Sequence, residues 1–318
     1  MIAQNVELHN TAETVPGPNG GVLTLRVPER VRENLEDPAR DRVRRPASAE
    51  IRFVTDDNCA TITLAAPEGK LQVAPFFGRY SHGQPFTIGP EPATFEVKMP
   101  QQFTASLSAL EGMNEPFSPR VCRLLLMGEQ PEVIAVEGQG VRPPTADEVP
   151  ALRYLSYGTS ITHGAAASAP HLSYAAQTAR RLGADLLNFG VGGACRCEPA
   201  FADYIAERDD WHVATLALSV NMMGFTPEEF RKRVEYVVNT VAGADTTRPV
   251  ACITLFRYNG DREIATRDTD MPEKPALFRE ILRQVVAACP HPNVTVFEGR
   301  EMLADFAGLT TDLIHPGD

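Results

Sequence analysis

The spacing of apolar and polar residues changes near residue 150 and divides the chain into two parts. Between residues 50 and 140, short apolar stretches alternate with Gly, Pro, Asn and Asp. This spacing of strands and turns predicts an antiparallel β-sandwich of jelly-roll type, with no helix. The strands are expected at residues 51–54, 61–64, 71–73, 95–97, 121–126 and 133–136.

After residue 151 near-continuous apolar runs alternate with stretches of helical spacing. Such runs are typical of parallel strands that are buried on both faces. Thr226 followed by Pro227 is a typical helix start. The sequence therefore predicts a three-layer α/β/α domain of flavodoxin-like type with a five-stranded parallel sheet. Its strands are expected at 152–157, 185–189, 213–220, 249–256 and 294–297, and its helices at 173–182, 198–207, 227–241 and 274–288.

Composition along the chain suggests where these domains begin and end. Residues 141–150 are polar and proline-rich, which predicts a linker between a β-sandwich accessory domain at 50–140 and an α/β domain at 151–318. Residues 1–49 lack a clear pattern, so an irregular segment packed on or beside the β-domain is expected.

This N-terminal segment contains a run of alternating charges. Such a run is usually a solvated face, and a basic groove for an anionic ligand is the alternative interpretation. Its arginines are Arg26, Arg30, Arg32, Arg40, Arg42, Arg44 and Arg45, and its acidic residues are Glu29, Glu33, Glu36, Asp37 and Asp41.

Charge and composition narrow the class of partner. The net charge of −11 argues against nucleic acid. No apolar run reaches the roughly 18 residues of a membrane span, and residues 1–10 do not resemble a signal peptide. A cytoplasmic protein that acts on a small molecule is expected, with its oligomeric state left open. Cys195 and Cys197 lack the usual metal-ligand spacing, so neither a metal nor an organic cofactor is expected.

Candidate chemistry begins after the first strand of the α/β domain, where Gly158, Thr159 and Ser160 precede a helix-compatible run. A glycine permits a tight turn, and a serine at a helix start lies close to free N–H groups that suit a developing oxyanion. The same pattern also caps helices or binds phosphate, so alone it does not decide between a nucleophile and a cap.

Polar residues at the other strand ends favour the nucleophile. Gly193 ends a glycine-rich turn after the second strand, Asn221 follows the third, and Asp312 and His315 lie near the end of the chain. The carboxyl ends of parallel strands lie at one edge of a sheet. These residues can therefore supply a base, a carboxylate that orients it, and oxyanion donors from the Ser160 and Gly193 N–H groups and the Asn221 amide.

The four segments resemble the conserved blocks of the SGNH, or GDSL-type, serine esterases and acylhydrolases. The blocks are Gly-Thr-Ser-Ile-Thr-His-Gly at 158–164, Gly-Val-Gly-Gly at 190–193, Asn221, and Asp-Leu-Ile-His-Pro at 312–316. With the preceding β-domain, the chain is similar to the subgroup that has an N-terminal jelly-roll-like domain. The resemblance implies Ser160, Asp312 and His315 as catalytic residues, with Ser160, Gly193 and Asn221 around the oxyanion.

The sequence departs from the family pattern at three points. Thr159 replaces the usual Asp before the serine, and Ser219-Val-Asn221-Met222 replaces the usual Gly-x-Asn-Asp. The family usually continues past the histidine into a helix, whereas this sequence ends at Asp318. The resemblance therefore implies either that the α/β domain is truncated at its C-terminus or that His315 lies on a loosely held chain end.

Residues near the same sheet edge are candidates for substrate contacts. His163, Met222, Arg257 and Tyr258 are proposed for this role, although His163 also suits a helix cap and Met222 also suits the core. A polar insertion is expected to form a lid or an interface. It contains Arg262, Glu263, Arg267, Asp268 and Asp270.

The sequence thus predicts a serine ester hydrolase that works through an acyl-enzyme. Its expected substrate is a small acyl ester, such as acetyl on a carbohydrate or a natural product. Two alternatives stay open: an acyltransferase that uses the same residues, and a catalytically inactive carbohydrate-binding module.

Overall fold

The N-terminal part of the chain folds into two antiparallel sheets. The computed structural model describes residues 1–261 and 273–318. One sheet has the strand order β1-β2-β5-β11-β7-β8, with β9 also paired to β7, and the other has the order β10-β6-β12-β4-β3. The elements are β1 (Ile2–Ala3), β2 (Val6–His9), β3 (Glu13–Pro16), β4 (Val22–Leu25), α1 (Glu29–Arg32), α2 (Asp37–Arg42), β5 (Ala47–Phe53), β6 (Cys59–Ala65), β7 (Leu71–Phe77), β8 (Tyr80–Ser81), β9 (Phe86–Ile88), β10 (Ala93–Lys98), α3 (Gln101–Glu111), β11 (Cys122–Gly128) and β12 (Glu132–Glu137).

Alternate side chains of each strand point into the core between these sheets. In β11, Leu124 and Leu126 lie in the same buried cluster as Ile62 of the opposite sheet. Leu125 lies on the other face and packs with Phe76. Successive side chains of a strand point to opposite faces, so one strand supplies both layers. The predicted antiparallel sandwich is confirmed.

Two predictions for this part of the chain are wrong. Residues 1–49 are not irregular, because β1 and β2 extend one sheet while β3 and β4 extend the other. Strands of two to four residues contain too few alternating positions to produce a recognisable pattern. Helix α3 was also not expected, and it buries fully only Leu107, so its apolar stripe is weak.

The C-terminal part is a parallel sheet with the order β14-β13-β15-β16-β17, which confirms the predicted flavodoxin-like domain. Its helices cover both faces: Tyr154 packs with Ala175 of one helix, and Leu155 lies in the core with Phe201 of another. The elements are β13 (Arg153–Gly158), α4 (Ser160–His163), α5 (Tyr174–Leu182), β14 (Asp185–Gly190), α6 (Pro199–Glu207), β15 (Val213–Ala217), α7 (Pro227–Ala244), β16 (Val250–Ile253), α8 (Lys274–Ala288), β17 (Val294–Phe297) and α9 (Gly299–Met302).

The N-terminal segment packs on the α/β domain as well as on the sandwich. Val31, Leu35 and Ala39, from α1, α2 and the turn between them, are buried in the same core as Leu155. A buried ion pair joins the sandwich to the amino end of β14, because the Arg52 guanidinium on β5 donates to both carboxylate oxygens of Asp185, at 3.0 and 2.5 Å. At the other end of β14, the Arg26 guanidinium donates to the carbonyl oxygens of Asn188 and Gly190, each at 3.0 Å, so the segment around α1 and α2 lies beside the carboxyl edge of the parallel sheet.

The predicted lid or interface lies outside the described residues. It comprises Arg262, Glu263, Arg267, Asp268 and Asp270. In the part of the chain that the structure describes, no helix has the length and apolar character needed to cross a membrane.

Candidate active site

Ser160 lies at the first position of α4, directly after the end of β13. The Thr159 hydroxyl caps this helix by accepting from the Ile161 N–H at 3.4 Å. A Cβ atom on Gly158 would lie 2.8 Å from the Ala217 carbonyl oxygen, so a side chain there would push β13 away from β15. The tight turn therefore depends on glycine, and it presents the Ser160 side chain at the carboxyl edge of the sheet.

Ser160 is joined by hydrogen bonds to the end of the chain. Its Oγ lies 2.7 Å from Nε2 of His315, and Nδ1 of His315 lies 2.6 Å from Oδ2 of Asp312. The carboxylate accepts the Nδ1 proton, which leaves Nε2 as the acceptor that faces the serine hydroxyl. The structure therefore brings together the three residues that the sequence marked as catalytic.

Asp312 is held by its own turn as well as by the imidazole. Its Oδ1 accepts from the Ile314 N–H at 2.8 Å, the His315 N–H at 3.0 Å and the Thr310 hydroxyl at 2.9 Å. Burial acts to raise the pKa of Asp312, but these hydrogen bonds and the one from the imidazole outweigh it and hold the pKa well below its usual range. The carboxylate is therefore ionised at neutral pH, and it orients His315.

Two further donors lie beside Ser160. Gly193 has a φ of 71°, a left-handed conformation that favours glycine, and no heavy atom of the described residues lies within 4 Å of a Cβ built on it. The side-chain oxygen of Asn221 accepts from the Cys195 N–H at 3.1 Å. This bond fixes the orientation of the amide and leaves its NH₂ group to donate elsewhere. The structure thus places Gly193 and Asn221, the predicted oxyanion donors, in the wall of one cavity with Ser160.

These groups line one cavity of about 450 Å³. That volume is in the range of small-molecule sites. His163, predicted as a substrate contact, lies in its wall, where Nδ1 is 3.3 Å from the Gly190 carbonyl. The other lining residues are Arg42, Arg45, Ser160, Ala165, Gly192, Gly193, Val220, Asn221, Ile314 and His315.

The protonation state of His163 follows from its surroundings. Burial lowers the pKa of His163 to about 3, and the Arg26 guanidinium acts in the same direction. Arg45 and Arg42 add smaller contributions of the same sign. His163 is therefore neutral at physiological pH.

The other predicted substrate contacts do not line this cavity. Met222 is fully buried in the hydrophobic core, so the structure argues against a contact between its side chain and a substrate. Arg257 lies over the ring of Phe306, 4.9 Å from its centre. Tyr258 is buried, and its backbone N–H donates to Asp261 at 3.2 Å. Both follow β16, two strands away from Ser160.

The arginine run was only partly a solvated face. Arg26 is fully buried, so the preferred interpretation is wrong for it, whereas Arg42 and Arg45 are partly exposed and line the cavity, as in the alternative interpretation of the run. The sequence offered no signal that distinguished them from the other arginines of the run. Their positions depend on how the segment around α1 and α2 packs against the α/β domain.

The Cys195 and Cys197 side chains are buried free thiols. Within residues 1–261 and 273–318, no group of three or more His, Cys, Asp or Glu side chains is arranged to hold a metal ion.

Hydrogen bonds at the carboxyl edge of the parallel sheet link a serine, a histidine and a carboxylate, which is the arrangement of enzymes that act through an acylated serine. Residues 153–318, about half of the chain, match the GDSL-like lipase/acylhydrolase family. The chain belongs to this family. No curated protein sequence matches the chain.

Solved structures resemble the whole chain, including its N-terminal sandwich. The salicylyl-acyltransferase SsfX3 from a tetracycline biosynthetic pathway is 14% identical, with 98% of this chain and 90% of that chain covered and a TM-score of 0.79. A putative GDSL-like lipase from Bacteroides ovatus is 17% identical, with 99% and 90% covered and a TM-score of 0.70. A family two carbohydrate esterase from Clostridium thermocellum, in complex with cellohexaose, is 13% identical, with 98% and 93% covered and a TM-score of 0.61. At these identities the likeness establishes the two-part fold.

Proposed function

We propose that the protein is a serine esterase that hydrolyses a small acyl ester through an acyl-enzyme. The observation that carries the proposal is the continuous chain of hydrogen bonds from Ser160 through His315 to Asp312, with distances of 2.7 and 2.6 Å. A binding module without catalysis has no need for this alignment, so the arrangement supports an enzyme over the non-catalytic alternative.

The geometry supports the following role for each group. Ser160 Oγ attacks the ester carbonyl while His315 Nε2 accepts its proton, and Asp312 stabilises the resulting imidazolium. The N–H groups of Ser160 and Gly193 and the amide of Asn221 donate to the oxyanion. His315 then protonates the leaving alcohol, which departs and leaves Ser160 acylated. In the second half of the reaction His315 takes a proton from water as the oxygen of that water attacks the acyl-enzyme, and His315 then returns the proton to Ser160 Oγ as the acid is released.

The substrate class is also part of the proposal. An acetyl ester on a carbohydrate or a natural product fits a cavity of about 450 Å³ that opens beside Ser160. Carbohydrate esterases share the two-part fold, and one of them was solved with cellohexaose. This likeness supports a carbohydrate ester as the first class of substrate to test.

Turnover of short-chain 4-nitrophenyl esters tests the proposal. The wild-type protein should release nitrophenolate, and Ser160→Ala should lower kcat by about 10⁴-fold or more, since the nucleophile is lost. Ser106→Ala, on an exposed face of α3, is the matched control and should behave as wild type. Absence of turnover by the folded wild type, or equal turnover by Ser160→Ala, would contradict the assignment.

Acyl transfer to an alcohol is a second candidate. The likeness of the fold to that of a salicylyl-acyltransferase, with a TM-score of 0.79, supports this candidate. Product analysis with increasing concentrations of a competing alcohol decides between the two reactions. An esterase gives mostly the free acid, whereas an acyltransferase gives mainly the new ester at low alcohol concentration.

A further inference from the structure

The cavity beside Ser160 has a cationic wall. Arg42, at the end of α2, and Arg45, just before β5, line it together with Ser160 and His315. None of the described residues that line it is an Asp or a Glu. The carboxylate of Asp312 lies behind His315 and is already engaged by the hydrogen bonds described above. The local charge is therefore positive in a chain whose net charge is −11.

The two arginines differ in how far their charge is already paired. Arg45 lies 2.9 Å from the carboxylate of Glu129, so part of its binding capacity is used. The nearest carboxylate oxygen to Arg42 belongs to Asp41 at 3.9 Å, which is beyond hydrogen-bond distance. Within the described part of the chain, the Arg42 side chain donates no hydrogen bond, and it is 38% exposed. Arg42 therefore has its guanidinium available for a ligand in the cavity.

The buried Arg26 side chain connects the backbone of this wall to β14. Its buried guanidinium donates to the carbonyl oxygens of Arg45 and Arg42, on one side, and to those of Asn188 and Gly190, each at 3.0 Å, on the other. It thus ties the turn that presents the two arginines to the end of β14, next to the oxyanion turn. Burial lowers the pKa of Arg26 to about 9, so it is still a cation at neutral pH. No carboxylate of the described residues pairs with it.

From this geometry we infer that the natural substrate carries an anionic group, a carboxylate or a phosphate, that binds to Arg42 and Arg45 while its ester lies at Ser160. Guanidinium groups bind both kinds of anion through paired, charge-assisted hydrogen bonds. The recognition is local, because the Debye length near 10 Å at about 0.1 M salt screens the negative remainder of the molecule. The inference rests on the proposed esterase function and deepens it by naming the substrate class.

Matched pairs of esters test this inference. On the alcohol side the pair is 4-acetoxybenzoate and its neutral analogue 4-acetoxybenzamide, with 4-acetoxyphenyl phosphate as a third member. On the acyl side the pair is mono-4-nitrophenyl succinate and 4-nitrophenyl butyrate. At least one anionic ester should exceed its neutral partner in kcat/KM by about 10-fold or more, the effect of one or two charge-assisted hydrogen bonds. The member that gains most identifies both the side of the ester and the anion.

Substitutions of Arg42 and Arg45 test whether the cationic wall causes the preference for anionic esters. Arg42→Gln should lower the ratio of anionic to neutral kcat/KM by about 10-fold, and Arg45→Gln should lower it by less, because Glu129 already pairs with Arg45. Arg44→Gln is the matched control: it lies between the two, its nearest carboxylate belongs to Glu68 at 3.6 Å, and it does not line the cavity. Its ratio should equal that of wild type. Arg42→Lys keeps the positive charge but loses the planar guanidinium that donates paired hydrogen bonds, so it should give an intermediate ratio.

The outcomes separate this inference from the proposed function. If neutral esters are hydrolysed in a Ser160-dependent way but no anionic ester is preferred, the esterase stands and the anionic substrate is refuted. A preference that survives in Arg42→Gln and Arg45→Gln also refutes the cationic wall as its source. If no ester of either charge is hydrolysed by the folded protein, the proposed function itself fails. Should the Gln variants not fold, inhibition of neutral-ester hydrolysis by inorganic phosphate and by benzoate, compared in wild type and Arg42→Lys, gives the same decision.

Discussion

The cavity has two walls that are built in different ways. One wall consists of strand ends and their turns: Ser160 after β13, Gly193 after β14 and Asn221 after β15. The other consists of Arg42 and Arg45, from a segment that precedes the parallel sheet in the chain. The first wall is fixed by the order of neighbouring strands, so its chemistry is local to the α/β domain. The second depends on how the N-terminal segment packs on that domain, so recognition is coupled to the assembly of the two parts.

The strand-end wall, with the His315–Asp312 pair that is hydrogen-bonded to Ser160, should be the more sensitive to small chemical changes. Asp312→Asn keeps the size of the side chain but removes the charge that fixes the His315 tautomer, and kcat should fall by about 10⁴-fold. Steady-state kinetics with a 4-nitrophenyl ester measure this. Asp209→Asn, on an exposed loop, is the control. A loss of less than about tenfold would show that Asp312 does not orient the base.

The oxyanion donors on the same wall should have the next largest effect. Asn221→Ala removes the side-chain amide whose orientation is fixed by the Cys195 N–H, and kcat should fall by about 10²–10³-fold with a smaller change in KM. Asn34→Ala, an exposed residue on the N-terminal segment, controls for loss of an amide elsewhere. A rise in KM alone would instead place Asn221 in ground-state binding.

The N-terminal wall should respond first in stability and only then in catalysis. Arg26→Leu removes four hydrogen bonds to backbone carbonyl oxygens, two of them to Asn188 and Gly190, which should lower the free energy of unfolding by about 2–4 kcal/mol. Urea denaturation measures this loss. Arg30→Gln, whose exposed side chain pairs with Glu207, should cost little and is the control. An Arg26→Leu variant as stable as wild type would mean that Arg26 does not hold the two walls together.

The contrast between the walls also explains what could be predicted from the sequence. Ser160, Gly193, Asn221 and the Asp312/His315 pair belong to short segments whose position relative to a strand is visible in the chain. Arg42 and Arg45 belong to a charged run in which solvent-exposed and cavity-lining arginines have the same pattern. Their location depends on the burial of Arg26 against β14, a long-range contact that no local periodicity encodes.

The same distinction applies to the elements of the fold. The long apolar runs of β13 to β17 predicted the parallel sheet, because buried parallel strands produce a strong signal. Strands β1 to β4 are short, and they are stabilised by pairing with strands such as β5 and β12, so they were not predicted. The position of a residue after a strand does not by itself decide whether its side chain lines the cavity. Met222 follows β15 and was predicted to contact substrate, but methionine suits the core equally well, and Met222 lies in the core.

His163 lies where the two walls meet, and it should make stability depend on pH. Because its pKa is lowered to about 3 in the folded protein, the unfolded chain binds a proton below about pH 6.5 when the folded protein does not. Stability should therefore be complete above this pH and fall on acidification. At about pH 5 the loss from this group is ~2 kcal/mol.

Thermal or urea unfolding across pH compares wild type with His163→Asn, whose amide can still donate to the Gly190 carbonyl. The variant should lose less stability between neutral pH and about pH 5. Identical slopes in wild type and His163→Asn would show that His163 is not held neutral by its surroundings.

Backbone strain at the strand-end wall should give the smallest effect. Ser219, two residues before Asn221, has a φ of 134°, and its buried hydroxyl has no hydrogen-bond partner among the described residues. Ser219→Gly relieves both features and should stabilise the protein by ~1 kcal/mol, after the entropy gained by the unfolded chain is subtracted. A change in the midpoint of urea unfolding detects this. Destabilisation by Ser219→Gly would mean that the conformation is not strained.

Trapping the acyl-enzyme is the most direct test of the central claim, that Ser160 is acylated with His315 as its base. Acid quenching during turnover of a 4-nitrophenyl ester, followed by mass spectrometry of the peptides, should find one acyl group on the peptide that contains Ser160. The label should disappear in Ser160→Ala and accumulate far more slowly in His315→Ala. Ester turnover with no acyl group at Ser160, or with the label on another residue, would contradict the account.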